Sequence, residues 1–300
     1  MKEGMSVVSA VLLTFVVISW GLSWYAMGLQ IGDVPPLVSV AYRFLISAIL
    51  LIGYLVVSGR FRFIRWQHHG RLIALGFCLF SMNYYCFYVA AGFLPSGVLS
   101  VIFATAAIMG AFNQRLFFGK ALSGRILLGA VLGVVGLLLL TWGSIVVADT
   151  TKVGILLVLP FLGTYLFSLG NLVSARLSQD DDLPNVVAYG MVYGTVICFA
   201  ICLALGLPFP IPNDLVYLGS LAYLAVFATV LGFIAYLSLV NREGVARASY
   251  ATVLFPIVAM LVSTWFEGFQ WTLLAILGVA LALGGTVLVF SKPKTAKRVF

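Results

Sequence analysis

The sequence predicts an all-α membrane protein whose ten transmembrane helices form two inverted-topology repeats of five helices, with both termini in the cytoplasm. Three observations lead to this prediction. First, 63% of the 300 residues are hydrophobic and only 9% are charged, whereas about a quarter of the residues in a soluble protein are charged. Second, the apolar residues fall into ten long runs. Third, lysine and arginine are concentrated in every second connection between these runs.

The ten runs are each long enough to cross a bilayer, which takes about 20 apolar residues in an α-helix. Short connections with glycine and proline, such as "GDVPP" at 32–36, separate them. The runs are continuously apolar, which differs from the alternating pattern of a membrane β-barrel. The predicted spans are 6–28, 36–57, 71–91, 95–117, 125–147, 153–175, 185–206, 215–240, 246–266 and 271–291.

Positive charges predict the orientation of the spans. Of the 17 Lys and Arg residues, 15 lie in the terminal segments and the even-numbered connections, the opposite side has Lys152, and Arg43 lies inside the second span. Cytoplasmic loops carry an excess of Lys and Arg, so both termini are predicted to be cytoplasmic. The same pattern explains the net charge of +8 without a nucleic-acid partner, which would need a basic patch on a folded surface.

An internal repeat relates the two halves of the chain. A shift of 147 residues, from Gly97 to Gly244, places "GVLSVIFAT" (97–105) on "GVARASYAT" (244–252). This shift superimposes the fourth span on the ninth and gives each half five spans. Because five is odd, the second half enters the membrane from the opposite side, as in many secondary transporters. The predicted repeats are 1–147 and 148–300.

The sequence offers little material for catalysis. The nine acidic residues lie in termini, loops or span edges. The sequence contains no Walker loop, no H-E-x-x-H motif and no G-x-S-x-G motif. We therefore expect no enzyme activity, no cofactor and no metal site. Coupling ions in membrane transporters are commonly carried by carboxylates inside the membrane. Their absence from the spans favours facilitated diffusion, or export down the substrate's own gradient, over ion coupling.

Two segments carry a resemblance to a known family. "SWGLSWYAMG" (19–28), followed by "AYRFLISAILL" (41–51), resembles the opening of the EamA-type repeat of the drug/metabolite transporter superfamily. "GFIAYLSLVNREGVARASYATVLFPIVAML" (232–261) resembles the end of its second copy. Within the superfamily the chain is most similar to bacterial aromatic amino-acid and metabolite exporters. The resemblance implies a ten-helix, multi-pass exporter in the bacterial cytoplasmic (inner) membrane, with a small-molecule substrate and surrounding membrane lipids. The sequence leaves the oligomeric state open, and a monomer is compatible with it.

Neutral polar and aromatic side chains share helix faces in five spans, and such groups suit a small amphipathic solute in a mostly apolar central cavity. Each of them alone is also explained by helix packing or by the aromatic belt at the membrane interface. Gly97 and Pro256 are candidate hinges for alternating access, while Gly129, Gly133 and Gly136 indicate close helix packing. The candidate residues of the cavity are Trp20, Trp24, Arg43, Asn83, Tyr84, Tyr88, Tyr165, Ser168, Asn171, Phe233, Tyr236, Tyr250 and Thr252, and the hinge candidates are Gly97 and Pro256.

Arg43 has two possible roles. A guanidinium inside a span usually faces a bundle interior or a water-filled cavity, where it can bind a substrate carboxylate through its planar fork. It can instead satisfy backbone carbonyls or extend toward the outer interface. The predicted function is export of small metabolites, with amino acids (aromatic or other neutral ones) first. The alternatives are a multidrug exporter of apolar or cationic compounds and a membrane scaffold that transports nothing.

Overall fold

The computed structural model describes residues 5–119, 121–147, 150–248 and 250–290. Helices account for nearly all of these residues. The eighth and third helices each contain a π-helical segment, and the ninth consists of two pieces. In chain order the helices are α1 (Val7–Gly28), α2 (Pro36–Val57), α3 (Trp66–Ala91), α4 (Ser96–Phe118), α5 (Gly124–Val147), α6 (Thr150–Leu177), α7 (Leu183–Ala204), α8 (Leu215–Glu243), α9 (Val245–Ala248 and Ala251–Phe266) and α10 (Leu273–Phe290).

The all-α membrane fold predicted from the sequence is confirmed. Within the described ranges, nine helices are long and apolar enough to cross a membrane, and Ala251–Phe266 of α9 is a shorter apolar helix. Each predicted span coincides with a helix. The largest difference is at α3, which begins at Trp66 because a 3₁₀ turn at Trp66–His68 precedes the α-helix. The predicted boundary between the halves falls at residues 148 and 149, outside the described residues.

Helix packing follows a paired pattern. α5 packs against α10, and α2 packs against α7. α1 packs against α8 and α9, while α6 packs against α3 and α4. Under the shift of 147 residues that the sequence predicts, these last two sets of contacts are equivalent, because α1 corresponds to α6, α8 to α3 and α9 to α4.

The two π-helical segments fit the same shift. One covers Cys78–Met82 in α3 and the other covers Tyr223–Leu231 in α8. Shifted by 147 residues, 78–82 falls at 225–229, inside the second segment. π-Helical turns are rare and occur often at functional sites. Their equivalent placement therefore marks α3 and α8 as the helices in which regular hydrogen bonding is interrupted in both halves.

The candidate hinges lie where α4 and α9 cross. A Cβ atom on Gly97 would lie 2.7 Å from Met260 Sδ and 2.9 Å from Met260 Cα, so the missing side chain lets the two helices approach closely. Regular α-helix in α4 is interrupted at Thr105, whose hydroxyl donates to the Ile102 carbonyl at 2.6 Å. α9 continues through Pro256, which is buried. Bending at Gly97 or Pro256 stays a prediction.

Glycines also hold α5 against α10. A Cβ on Gly129 would lie 2.6 Å from the Gly285 carbonyl oxygen, and one on Gly136 would lie 2.6 Å from that of Gly278. These backbones are in contact, as at small-residue interfaces of membrane helices. A Cβ on Gly133 would lie 2.9 Å from Ile108 Cδ1 of α4. The close packing predicted for Gly129, Gly133 and Gly136 is confirmed.

Gly285 and its neighbour Gly284 provide a matched test of this contact. A Cβ on Gly285 would lie 2.5 Å from the Gly129 carbonyl oxygen, whereas one on Gly284 meets nothing within 4 Å. We expect Gly285→Ala to lower the stability of the detergent-solubilised protein by about 1–3 kcal/mol, because the helices must separate. Gly284→Ala should leave the melting temperature unchanged or raise it, since alanine favours helix. Equal melting temperatures for the two variants would contradict the backbone contact.

Candidate functional site

Arg43 is the buried charge at the centre of the molecule. It lies in α2 with only 4% of its surface exposed. Its Nε and Nη2 atoms donate to Thr229 Oγ1 of α8 at 3.2 and 3.1 Å. Its Cζ atom lies 4.5 Å from the ring centroid of Tyr84 in α3. The guanidinium therefore connects helices of the two predicted halves and stacks on an aromatic face, which favours a partly desolvated cation.

The π-helical segment of α8 explains why polar side chains gather here. Its altered hydrogen bonding leaves carbonyl groups that need other donors in a dry interior. Trp20 Nε1 donates to the Ala228 carbonyl at 3.1 Å, and Ser47 Oγ donates to the Ala225 carbonyl at 3.2 Å. Thr229 Oγ1 itself donates to the Leu224 carbonyl at 2.7 Å. Donors from α1 and α2 thus fix the segment on which Arg43 rests.

The equivalent contact in the other half contains no arginine. The shift of 147 residues relates Arg43 to Gly190 and Ser47 to Gly194, both in α7. Added Cβ atoms there would lie 2.7 Å from Phe80 Cε2 and 2.7 Å from the Phe80 carbonyl oxygen, respectively. α7 therefore packs its bare backbone against the π-helical segment of α3. The same helix crossing is made once with glycines and once with a charged side chain.

Aromatic rings form a further group in the interior, which is joined to the segment around Thr229 through Trp20, the donor to the Ala228 carbonyl. Phe103 of α4 is their centre: its ring centroid lies 5.3 Å from Trp24, 5.6 Å from Phe87, 4.4 Å from Phe167 and 6.1 Å from Phe255. We call these five rings, together with the two named next, the aromatic cluster. The additional members are Trp20, which lies 6.3 Å from Phe255, and Tyr236, which lies 5.2 Å from Trp20.

A second group of buried polar side chains lies on α3. Asn83 is 1% exposed, and its Oδ1 atom has no hydrogen-bond partner among the described residues. Tyr88 donates from its hydroxyl to Gln30 Oε1 at 2.6 Å, while Gln30 Nε2 is buried and also lacks a partner there. Buried polar atoms are normally hydrogen-bonded. The unused acceptor of Asn83 and the unused donor of Gln30 are therefore suited to a bound solute or to water.

The structure brings several of the predicted cavity residues together. Arg43 and Tyr84 are in contact, and Trp20, Trp24 and Tyr236 belong to the aromatic cluster. Asn83 and Tyr88 are buried on the same helix as Tyr84. Their role in binding stays a prediction, but their positions place them between helices of both halves.

Other predicted residues lie apart from this centre. Tyr165 is 37% exposed, Tyr250 is 55% exposed, and Asn171 is also exposed. Ser168 is buried and accepts from Asn113 Nδ2 at 2.9 Å, which is a contact between α6 and α4. Thr252 is half-buried in α9.

Phe233 lies on a separate groove. The groove has a volume of about 220 Å³ and is formed by side chains of α2, α7 and α8 toward the predicted cytoplasmic side, among them Leu51, Pro184 and Asn241. Arg43 and Asn83 do not line it. Phe233 therefore borders a surface distinct from the aromatic cluster.

The candidate cavity residues from the sequence do not include seven residues of this centre: Gln30, Ser47, Phe87, Phe103, Phe167, Thr229 and Phe255. Ser47 had a usable signal, because it follows Arg43 by four residues and so shares its helix face. Gln30 lies in a short connection, and the phenylalanines are indistinguishable in sequence from the many that face lipid.

The predicted outer ends of α4 and α9 are joined by a carboxylate. Glu267 Oε2 accepts from Ser96 N at 2.9 Å and from Ser96 Oγ at 2.8 Å. A carboxylate is favoured at a helix N-terminus, where backbone N–H groups are unpaired. Together with the contact of Gly97 and Met260, this bond holds α4 and α9 together at that end.

Thr229 can be tested against a buried threonine that has no partner. Thr229→Val removes the acceptor of two hydrogen bonds from the buried Arg43, which we expect to lower stability by about 1–3 kcal/mol. Thr195 is equally buried, and its hydroxyl has no hydrogen-bond partner among the described residues. Thr195→Val should therefore be neutral or stabilising. Thermal unfolding in detergent measures both; an unchanged Thr229→Val variant would contradict the importance of the bond.

Comparison with known proteins agrees with this architecture. The EamA-like transporter family matches residues 8–142 and again residues 152–291. The uncharacterized transporter YvbV of Bacillus subtilis is 24% identical over 302 residues, covering 99% of this chain and 96% of that protein. A probable amino-acid metabolite efflux pump of Escherichia coli is 24% identical over 94% of each chain. The uncharacterized inner membrane transporter YedA of Escherichia coli is 26% identical over 93% of this chain and 92% of its own.

A crystal structure gives the same fold. It superimposes with a TM-score of 0.65 at 16% identity, covering 94% of this chain and 96% of the other. Two copies of one family domain together cover most of the chain, which indicates a repeat. The chain is a multi-pass membrane protein that belongs to the EamA-like transporter family of the drug/metabolite transporter superfamily, and it is a transporter rather than an enzyme.

Proposed function

We propose that this protein is a secondary transporter that exports small metabolites, with neutral and aromatic amino acids as the first candidates, from the bacterial cytoplasm across the inner membrane. One observation carries this proposal: a buried arginine without an acidic partner among the described residues bonds to Thr229 of α8, and Trp20 of the aromatic cluster bonds to the adjacent Ala228. An aromatic wall with few polar groups suits an amino acid. Two relatives, from Escherichia coli and Salmonella typhimurium, are named probable amino-acid metabolite efflux pumps.

The proposed topology has ten spans, two inverted repeats of residues 1–147 and 148–300, and cytoplasmic termini. The distribution of Lys and Arg supports the orientation. The π-helical segments at equivalent positions support the duplication. Inverted repeats commonly rock around a substrate site near the bilayer midplane. Arg43 of α2 bonds to Thr229 of α8, so it lies where helices of the two proposed repeats meet.

Alternating access would then require α4 and α9 to separate at their outer ends. The bond of Glu267 to Ser96 and the approach of Gly97 to Met260 hold these ends together. Gly97 and Pro256 are the candidate bending points. The structure described is thus consistent with a conformation that is closed on the outside.

A multidrug exporter is the second candidate within transport. Cationic drugs favour a buried carboxylate or an open aromatic cage. The described acidic residues lie at helix ends or in connections, and the rings of the aromatic cluster pack on one another. Both features favour amino acids over cations. A scaffold without transport would have no use for the unpaired buried charge.

Flux from proteoliposomes tests the proposal and the site. We expect labelled phenylalanine or another neutral amino acid to be transported by the unaltered protein. Arg43→Ala should reduce the rate at least tenfold at equal folded yield, since hydrogen bonds to charged groups contribute about 1.5–3 kcal/mol. Asn83→Ala should reduce it about fivefold, because a neutral hydrogen bond contributes about 0.5–1.5 kcal/mol.

Two exposed residues serve as matched controls, Arg65→Ala for the lost charge and Asn241→Ala for the lost amide. Both should transport as the unaltered protein does. A folded Arg43→Ala protein with full activity would show that Arg43 is not part of the binding site. Loss of folded protein would show that Arg43 has a structural role. If no amino acid is transported, the substrate class is wrong.

The same vesicles test energy coupling. Because the described membrane-spanning helices hold no acidic side chain away from their ends, we expect the initial rate to be unchanged by an imposed pH gradient. Equal rates before and after an ionophore collapses the gradient would support a facilitator. Accumulation of the substrate against its own gradient, driven by protons, would contradict it.

A further inference from the structure

We infer that the site selects apolar monocarboxylates and does not recognise an α-ammonium group, so that a ligand of net charge −1 binds more tightly than the corresponding amino acid. This inference rests on the proposed function for the location of the site and deepens it by naming the charge of the preferred substrate. Compounds of this class share an aryl or alkyl body and one carboxylate, as 2-oxo acids, 2-hydroxy acids and des-amino acids do.

The first step is the charge of Arg43. Within the described part of the chain, the two ion pairs are His68 with Asp181 and Arg247 with Glu243, both away from Arg43. The hydroxyl of Thr229 is a neutral partner and cannot compensate a positive charge. A buried charge without a counter-charge is costly. A bound carboxylate would neutralise it and would fit the planar fork of the guanidinium.

The second step is that a helix crossing of this kind can be made without a charge. α7 makes the crossing equivalent to that of α2 with Gly190 and Gly194, and its backbone packs directly on α3. Arg43 distinguishes the crossing of α2 from the equivalent crossing of α7. This difference between the halves points to a ligand that binds at Arg43.

The third step concerns the ammonium group of an amino acid. The described acidic residues lie in connections or at helix ends, and none of them forms an ion pair with Arg43. They are Asp33, Asp180, Asp181, Asp182, Asp214, Glu243 and Glu267.

Aromatic faces could replace a carboxylate as ammonium partners, but here they are already covered. Trp24 meets Phe87 edge to face at 83°, and Trp20 meets Phe255 at 81°. Arg43 itself lies over Tyr84. Asn83 Oδ1, an acceptor that bonds to none of the described residues, is neutral and suits a hydroxyl or amide donor. An ammonium group would therefore enter this site without a counter-charge.

The experiment uses three probes with the same phenyl group: 3-phenylpropionate (charge −1), L-phenylalanine (zwitterion) and 2-phenylethylamine (charge +1). Thermal unfolding of the purified full-length protein in detergent at pH 7 reports binding, because a ligand of the folded state raises the melting temperature. We expect 3-phenylpropionate to reach half of its maximal effect at a concentration about tenfold lower than phenylalanine. 2-Phenylethylamine should produce no shift.

Arg43→Gln should abolish the effect of 3-phenylpropionate, and Arg65→Gln, which removes an exposed charge, should retain it. The inference is overturned if phenylalanine binds as tightly as 3-phenylpropionate, if the amine binds equally well, if Arg43→Gln keeps the response, or if no probe binds. The probe series on the unaltered protein decides the question even where Arg43→Gln does not fold.

Transport separates the two proposals. If vesicles transport phenylalanine while detergent binding shows no preference for the anion, the proposed function stands and this inference fails. If the anion binds through Arg43 but vesicles transport none of the amino acids, the inference stands and amino-acid export fails.

Discussion

The centre of this protein depends on a single buried cation held against an interrupted helix. Arg43 donates twice to Thr229, and Thr229 belongs to the π-helical segment of α8. In a bilayer every backbone polar group must find a partner inside the protein. The irregular turn satisfies this requirement through Trp20 and Ser47. The positions of α1 and α2 against α8 follow from these bonds.

The two halves share an architecture and differ in chemistry. α2 and α7 cross the π-helical segments of α8 and α3 in equivalent ways, but one crossing uses Arg43 and Ser47, and the other uses Gly190 and Gly194. Glycine permits the closest approach of two backbones. A duplicated fold can thus retain its shape in both copies while one copy acquires a charged group, provided that the partner helix supplies an acceptor.

The aromatic cluster joins the halves without fixing them by hydrogen bonds. Phe103 of α4 contacts Phe255 of α9, and Phe167 of α6 contacts Phe103. Ring contacts are individually modest and tolerate several geometries. The polar contact of Glu267 with Ser96 at the end of the same helix pair is directional by comparison. The contact between α4 and α9 thus combines aromatic rings that can shift against one another with a hydrogen-bonded carboxylate at one end.

The sequence by itself determined the helices, because runs of about 20 apolar residues have few alternatives to an α-helix in a membrane. It also singled out Arg43, since a charge inside a span is rare, and it predicted the close packing of the glycines of α5. The π-helical segments, the pairing of Arg43 with Thr229 and the roles of Gln30, Phe167 and Phe255 were decided only by the tertiary structure. These features depend on which helix faces meet across the two halves, and the hydropathy of a nearly uniformly apolar helix does not distinguish a face toward lipid from a face toward protein.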